Sequence, residues 1–231
     1  MVNFLFDIDG TVTPSRTKID KQFGNWMEHF ATHNPCYWVT GSPRYMTERQ
    51  LGNIYHLAVR SYQCSGTDVW EQNTNIRRSD WELPPLAREF LMDAFNGEDF
   101  SQKCEEDMCI HERPGMINYS VIGPCDDDTQ RNSFIEWEAL ANSRSKTATV
   151  FNILFPDLQA TIGGETGIDI GPVGSNKSQV LSDFDVKNVW FFGDKTEEGG
   201  NDYEIAEAVK AGGGKVSAVS GWEDTWAILK G

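Results

Sequence analysis

The chain has 231 residues, 39% of them apolar and 12% aromatic, with eight Trp and thirteen Phe, which is the composition of a folded protein with a real core. Acids outnumber bases 35 to 20 for a formal charge of −15, a field that repels phosphate backbones and argues against a nucleic-acid partner. No apolar run reaches membrane-spanning length, and no basic-then-apolar leader opens the chain. The five cysteines (Cys36, Cys64, Cys104, Cys109, Cys125) show no zinc-type spacing and read as reduced thiols of a cytoplasmic protein.

Val2–Asp7 reads as a buried strand, followed by "IDKQFGNWMEHF", with Phe23, Trp26, Met27 and Phe30 at helical spacing. "PCYWVTGS" is a second short strand, and "PRYMTERQLG" a helix beginning just after Ser42 with Pro43 at its first position. Strand–helix alternation predicts a parallel sheet covered by helices. The middle of the chain differs. "WELPPLAREF" is a linker entering a helix, and "GMINYSVIG" and "LQATIGGETGIDIG" are strands with glycine-rich turns, separated by a helical stretch around "FIEWEALANS". The parallel pattern then returns: "NVWFFGD" is a strand, "NDYEIAEAVKAGGG" a helix, "KVSAVS" a strand and "WEDTWAILK" a closing helix. The expectation is an α/β protein whose core comes from residues 1–83 and 175–231, with residues 84–174 inserted as an α+β cap.

In an open parallel sheet, ligands bind beyond the carboxyl ends of the strands. Three predicted strands end in polar groups: Asp7 and Asp9 in "FDIDGTVT", Thr40–Gly41–Ser42 in "VTGS", and Asp194 in "FFGDKT". Asn201 and Asp202 open the helix that follows. If the strands are neighbours, these groups meet at one edge. Asp7 and Asp9, two apart on a strand, are expected to point to the same side. Such a pair can bind a hard cation or divide labour as nucleophile and general acid/base. Asp7, Asp9, Asp194 and Asp202 need a counter-charge, and Mg²⁺, which takes carboxylate, water and phosphate oxygens, suits them best. A carboxylate against one negative charge at about 4 Å costs about 4 kcal/mol at an effective dielectric of about 20, so attack by Asp on a phosphate dianion needs a cation between them. Thr40, Ser42 and the N–H groups after Gly41 suit a phosphate, and Lys177 in "GSNKSQVL" could neutralise one of its oxygens.

Together "FDIDGTVT", "VTGS", Lys177 and "FFGDKTEEGGND" resemble the haloacid dehalogenase-like phosphotransferases. "TPSRTKI", "ERPGMIN", "GGETGIDI" and "WFFGDKTEEGGNDYEI" narrow the resemblance to eukaryotic-type phosphomannomutase, over nearly the whole chain. The resemblance implies a Rossmann-like haloacid dehalogenase core with an α+β cap, Mg²⁺ and an aspartyl-phosphate intermediate. Asp7 would be the nucleophile, Asp9 the acid/base, and Asp194 a metal ligand with Asp202 in or near its shell. Arg113 and Arg131 match cap arginines that grip the distal phosphate of a sugar substrate, Arg16 one near the active site, and Asp169 an acid that contacts sugar hydroxyls. It also implies a homodimer through the cap, although the sequence offers no cap patch that defines such an interface.

Three departures bear on the reaction: Pro124 stands where the family carries a third cap arginine, Gly167 replaces a serine beside the sugar, and "SYQCSGTDVW" departs from the family's usual run. Losing one charge-assisted contact removes about 1.5–3 kcal/mol, a ten- to hundred-fold weaker grip unless Arg144 or Lys146 compensates. The sequence thus leaves a mannose 6-phosphate/mannose 1-phosphate mutase, a sugar-phosphate phosphatase of the same chemistry, and a binding protein that has lost turnover. The carboxylate set argues against the last.

Overall fold

The opening apolar run forms strand β1 (Asn3–Phe6) in the computed structural model, which describes residues 1–125 and 127–231. Helix α1 (Lys21–His33) follows, its first turn capped by the Asp20 carboxylate, which accepts from the N–H groups of Gln22 and Phe23. Next come β2 (Cys36–Val39), α2 (Arg44–Leu51), β3 (Arg60–Gln63), β4 (Asp68–Glu71) and β5 (Thr74–Arg78). Pro43 is the residue before the first turn of α2 rather than its first residue. The chain then builds α3 (Pro85–Gly97), β6 (Ile110–Arg113), β7 (Met116–Tyr119), α4 (Asp128–Ala141), α5 (Ser143–Leu154), β8 (Leu158–Gly163) and β9 (Gly167–Pro172). It ends with β10 (Val189–Gly193), α6 (Tyr203–Ala211), β11 (Lys215–Ala218) and α7 (Trp222–Lys230).

Two units result: Met1–Ser79 with Ser175–Gly231, and Asp80–Gly174. The division falls at 79/80 rather than 83/84 because Leu83 is buried with Ala87 and Leu91 of α3 in the second unit's core.

The first unit is a seven-stranded sheet in the order β11-β10-β1-β2-β3-β4-β5. Its first five strands are parallel, and β4 and β5 add an antiparallel hairpin at the edge. Strand β1 lies between β10 and β2, so the carboxyl ends of the three motif-bearing strands are adjacent. Phe4 and Phe6 face a cluster with Trp38, Phe192 and α1's Phe23 and Met27. Leu5 faces the other way, into Val39, Phe191 and α6's Ile205 and Val209. Burial on both faces is why Phe4, Leu5 and Phe6 are all apolar instead of alternating.

The second unit is an antiparallel sheet, β6-β7-β9-β8, whose Ile117, Tyr119, Ala160, Ile168 and Ile170 share a core with Leu91 of α3 and Phe151 of α5. Helix α4 closes a smaller cluster around Phe134, Phe100 and Ile122. All five cysteines are free thiols. No described helix is long and apolar enough to cross a membrane.

Candidate active site

Beyond Phe6 the backbone makes one more sheet contact, Asp7 N–H to Phe192 O at 2.9 Å, and then coils tightly. The N–H groups of Thr11, Val12 and Thr13 all turn back to the Ile8 carbonyl, and Gly10 N–H reaches Thr13 O. Gly10 makes this possible with φ +81°, a left-handed backbone that residues with a side chain adopt at a cost of about 1–2 kcal/mol. A methyl group at Gly10 would also sit 2.3 Å from Asp194 Oδ2. Gly10→Ala is therefore expected to lower the melting temperature and to displace Asp194. Its stabilisation by added Mg²⁺ should fall well below that of the wild type in a thermal melt. An unchanged Mg²⁺ response would show that Asp194 tolerates the displacement.

The coil delivers the Asp7 carboxylate to a buried ammonium. Lys177 Nζ donates to Asp7 Oδ1 at 2.5 Å and to Asp202 Oδ1 at 2.6 Å, and all three side chains are at most 4% exposed. Asp194 completes the group: oxygens of Asp7, Asp194 and Asp202 lie within 4.8 Å of one another, the one such cluster among the described residues. Burial raises the Asp7 carboxyl well above its usual range; Lys177 opposes the rise, while Asp202 and Asp194 add to it. Burial works against the Lys177 ammonium too, yet Asp202 and Asp7 outweigh it and hold its pKa above the ordinary value. Burial and then Asp202 push the Asp194 carboxyl up to about 6.

This arrangement fits a divalent cation. Three carboxylates around one ammonium leave two negative charges in a buried space, which one Mg²⁺ cancels. Asp202 Oδ2 is buried with no hydrogen-bond partner, an acceptor left over for an ion. With the Asp194 carboxyl pushed up to about 6, a Mg²⁺ ion held there would compete with its proton at lower pH. The rise in melting temperature on adding Mg²⁺ should grow between pH 5 and 7, and Asp194→Asn should flatten the dependence. A rise equal at both pH values would separate Asp194 from the ion.

Asp9 does not join the cluster. The alternation of β1 ends at Phe6, and in the coil the Asp9 carboxylate turns to other partners. Its Oδ1 accepts from the Arg16 backbone N–H at 2.6 Å and from Gln50 Nε2 at 2.8 Å, and its Oδ2 from Ser42 Oγ at 3.4 Å. The Asp9 side chain thus stands outside the cluster of Asp7, Asp194 and Asp202, because the alternation of the extended strand stops before it. Arg16 is itself left-handed, at φ 56°, which aims its N–H at Asp9. Gln50 went unread in the sequence. It is 2% exposed and also donates to Thr13 Oγ1. The available signal was an amide on the buried face of α2, beside Thr47 and Leu51.

Thr40 and Ser42 follow β2 as expected. Ser42 N–H donates to Thr40 Oγ1, while the Ser42 hydroxyl goes to Asp9 rather than to the start of α2. The loop is held by Cys64 N–H on Ser42 O and Ser65 N–H on Thr40 O, and both Cys64 and Ser65 are left-handed. The departure at "QCSG" therefore forms a tight support under the Thr40–Ser42 backbone.

In the second unit, Arg113 Nη1 lies 3.7 Å from Asp169 Oδ1, which also accepts from Asn118 Nδ2 at 2.7 Å. Arg131 is buried and bonds Glu165 Oε2 at 2.5 Å. A side chain at Gly167 would meet Asn118 Nδ2 at 2.4 Å, so a serine there would displace the Asn118–Asp169 bond. Pro124 is exposed. Arg144 bonds Glu138 and the Gly164 carbonyl, and Lys146 bonds the Ala141 carbonyl.

Comparison with known proteins places this geometry in context. The eukaryotic phosphomannomutase family matches residues 99–231. A phosphomannomutase of Encephalitozoon cuniculi is 32% identical over 213 residues, covering 87% of this chain and 83% of that one. One from Arabidopsis thaliana is 30% identical over 239 residues, covering 98% and 94%. Among solved structures, a sugar phosphatase of haloacid dehalogenase subclass IIB aligns over 100% of this chain and 98% of its own, with a TM-score of 0.58 and 19% identity. That last likeness establishes the fold: a haloacid dehalogenase-like α/β core carrying a cap.

Proposed function

Because the chain belongs to the eukaryotic phosphomannomutase family, we propose that it is a Mg²⁺-dependent mutase. It would interconvert mannose 6-phosphate and mannose 1-phosphate through a hexose bisphosphate. The observation that carries the reading is the buried contact of Lys177 with Asp7 and Asp202, beside Asp194. A carboxylate so buried, with its pKa pushed up by that burial, is costly to keep unless it reacts.

Lys177 takes Asp7 Oδ1 and so orients the carboxylate with Oδ2 as the attacking atom. The Asp7 oxygen bonds to phosphorus, and the ester bond to the sugar oxygen breaks. With the bisphosphate as donor, Asp9 gives a proton to that oxygen and a hexose monophosphate is freed; in the return step the Asp9 carboxylate takes the proton of the free hydroxyl of a hexose monophosphate as phosphate moves from Asp7 to it, which restores the bisphosphate. Gln50 and the Arg16 N–H hold Asp9 for both roles. Lys177, with three N–H donors and two spent on carboxylates, keeps one for a phosphate oxygen. Thr40 and Ser42 would line the same phosphate. Mg²⁺, when bound by Asp7, Asp194 and Asp202, supplies charge neutralisation and polarises the phosphoryl group. Arg113 and Arg131 would hold the phosphate that is not in transfer, and Asp169 the sugar hydroxyls.

A second reading, a sugar-phosphate phosphatase, is favoured by Pro124, which brings no charge to the cap. Water reaching the phospho-Asp would then release inorganic phosphate. The assay that separates them supplies mannose 1-phosphate, Mg²⁺ and a trace of hexose bisphosphate. Mannose 6-phosphate without inorganic phosphate is the expected product. Inorganic phosphate without isomer would replace the mutase with the phosphatase.

A further inference from the structure

The ion pair between Arg131 and Glu165 joins a buried cation to an exposed acid. Arg131 lies on α4 with its side chain nine-tenths buried. Only one edge of its guanidinium is matched: Nη2 donates to Glu165, while Nη1 is buried with no hydrogen-bond partner. Glu165, by contrast, is 46% exposed at its side chain and sits in the turn between β8 and β9. The backbone of that turn is pinned on both sides, by Arg144 on the carbonyls of Gly164 and Gly167 and by the Ser120 hydroxyl on the carbonyl of Thr166. The turn is fixed, and the carboxylate at its tip faces water. One end of this pair is locked and the other is free to leave.

We propose that Glu165 is a resident stand-in for a phosphate at Arg131, and so sets how tightly and for how long the cap holds a phosphorylated ligand. The inference rests on the assignment of Arg131 to a substrate phosphate made above. Its physical basis is the mismatch of charge and geometry. The bound carboxylate accepts from one nitrogen and leaves Nη1 unmatched. A phosphate monoester dianion carries twice the charge and three free oxygens, and can take both nitrogens of the fork at once. The dianion therefore wins, Glu165 swings into solvent, and the buried Nη1 gains its partner. On release Glu165 returns, so Arg131 never stands as a bare buried cation. A ligand with a single negative charge offers little over the resident carboxylate, and the site selects dianionic phosphate esters. Glu165 thereby weakens binding of every phosphorylated species and speeds its departure.

Inorganic phosphate is the probe, titrated calorimetrically into the full chain in EDTA, where the metal-free Asp7, Asp194 and Asp202 cluster repels it. Glu165→Gln keeps the size and the hydrogen bond but removes the charge, and should bind phosphate about ten-fold more tightly than the wild type. The gain should vanish when Arg131→Gln is added. If that double variant does not fold, Arg131→Lys, which keeps the charge and loses the fork, takes its place and should reduce the gain. In turnover, Glu165→Gln should lower KM for hexose phosphate and leave kcat equal or lower as release slows. Phosphate bound no more tightly by Glu165→Gln, or a gain that persists without the Arg131 fork, overturns the proposal. Phosphate binding that behaves as expected in a chain with no hexose-phosphate turnover would instead sink the mutase reading and leave the anion site standing.

Discussion

Asp7→Asn is expected to abolish turnover, by at least about 10⁴-fold, while leaving the protein as stable as before or more so. The two halves of this expectation come from the same contacts. Asparagine keeps the shape of the side chain and an oxygen for Lys177 Nζ, which lies 2.5 Å from Asp7 Oδ1. It removes a carboxylate that is buried and repelled by Asp202 and Asp194. In metal-free protein the substitution relieves repulsion, so the melting temperature should hold or rise. The amide cannot act as the nucleophile, so chemistry stops. Beryllium fluoride, which mimics a phosphoryl group on a carboxylate oxygen, should bind the wild type only with Mg²⁺ and not bind Asp7→Asn at all. A variant that folds and turns over at an undiminished rate would end the assignment of Asp7. A variant that simply unfolds would contradict the view that its charge is a cost.

The site was readable where chemistry coincides with strand ends. Asp7, Thr40 and Asp194 each close an apolar run, and strand–helix alternation predicts that such runs lie parallel. Strand order is carried by contacts distant in sequence, such as Phe6 with Phe192 and Trp38, and no local pattern encodes it. Asp9 turns to its own partners for a local reason: the parity rule holds for extended backbone, and Gly10 ends it. The β4–β5 hairpin escaped detection because apolar burial contributes little to it. Arg78 pairs with Asp68, Arg60 with Glu71, and the Arg44 guanidinium lies 4.0 Å from the centre of the Trp70 ring. Charges and a cation–π contact leave no hydrophobic period to read. Glu165 was hidden differently. An acid in a glycine-rich turn is ordinary until its partner, Arg131, proves to lie on a helix in the same unit.

The same buried charges make Lys177 the residue whose loss should cost most in stability. Lys177→Met fits an unbranched apolar chain into the space of another but leaves Asp7 and Asp202 facing each other unpaired. Breaking a buried pair in this way costs about 3–5 kcal/mol, or a fall in melting temperature of roughly 6–20 °C for a chain of this size. The penalty depends on the carboxylates being ionised. With the ammonium gone, the Asp7 carboxyl, already raised by burial, rises further, so it binds a proton in the folded state at a pH where the unfolded chain has released it. The gap to the wild type should therefore narrow as pH is lowered from 7 to 5. Mg²⁺ should also recover more stability in the variant than in the wild type, since the cluster now holds three negative charges instead of two. It should not restore turnover, because neither the orientation of Asp7 nor the donor to the phosphate oxygen returns. A melting temperature within a degree or two of the wild type, at pH 7 and without Mg²⁺, would mean that the charge of Asp7 and Asp202 is balanced by something other than this ammonium.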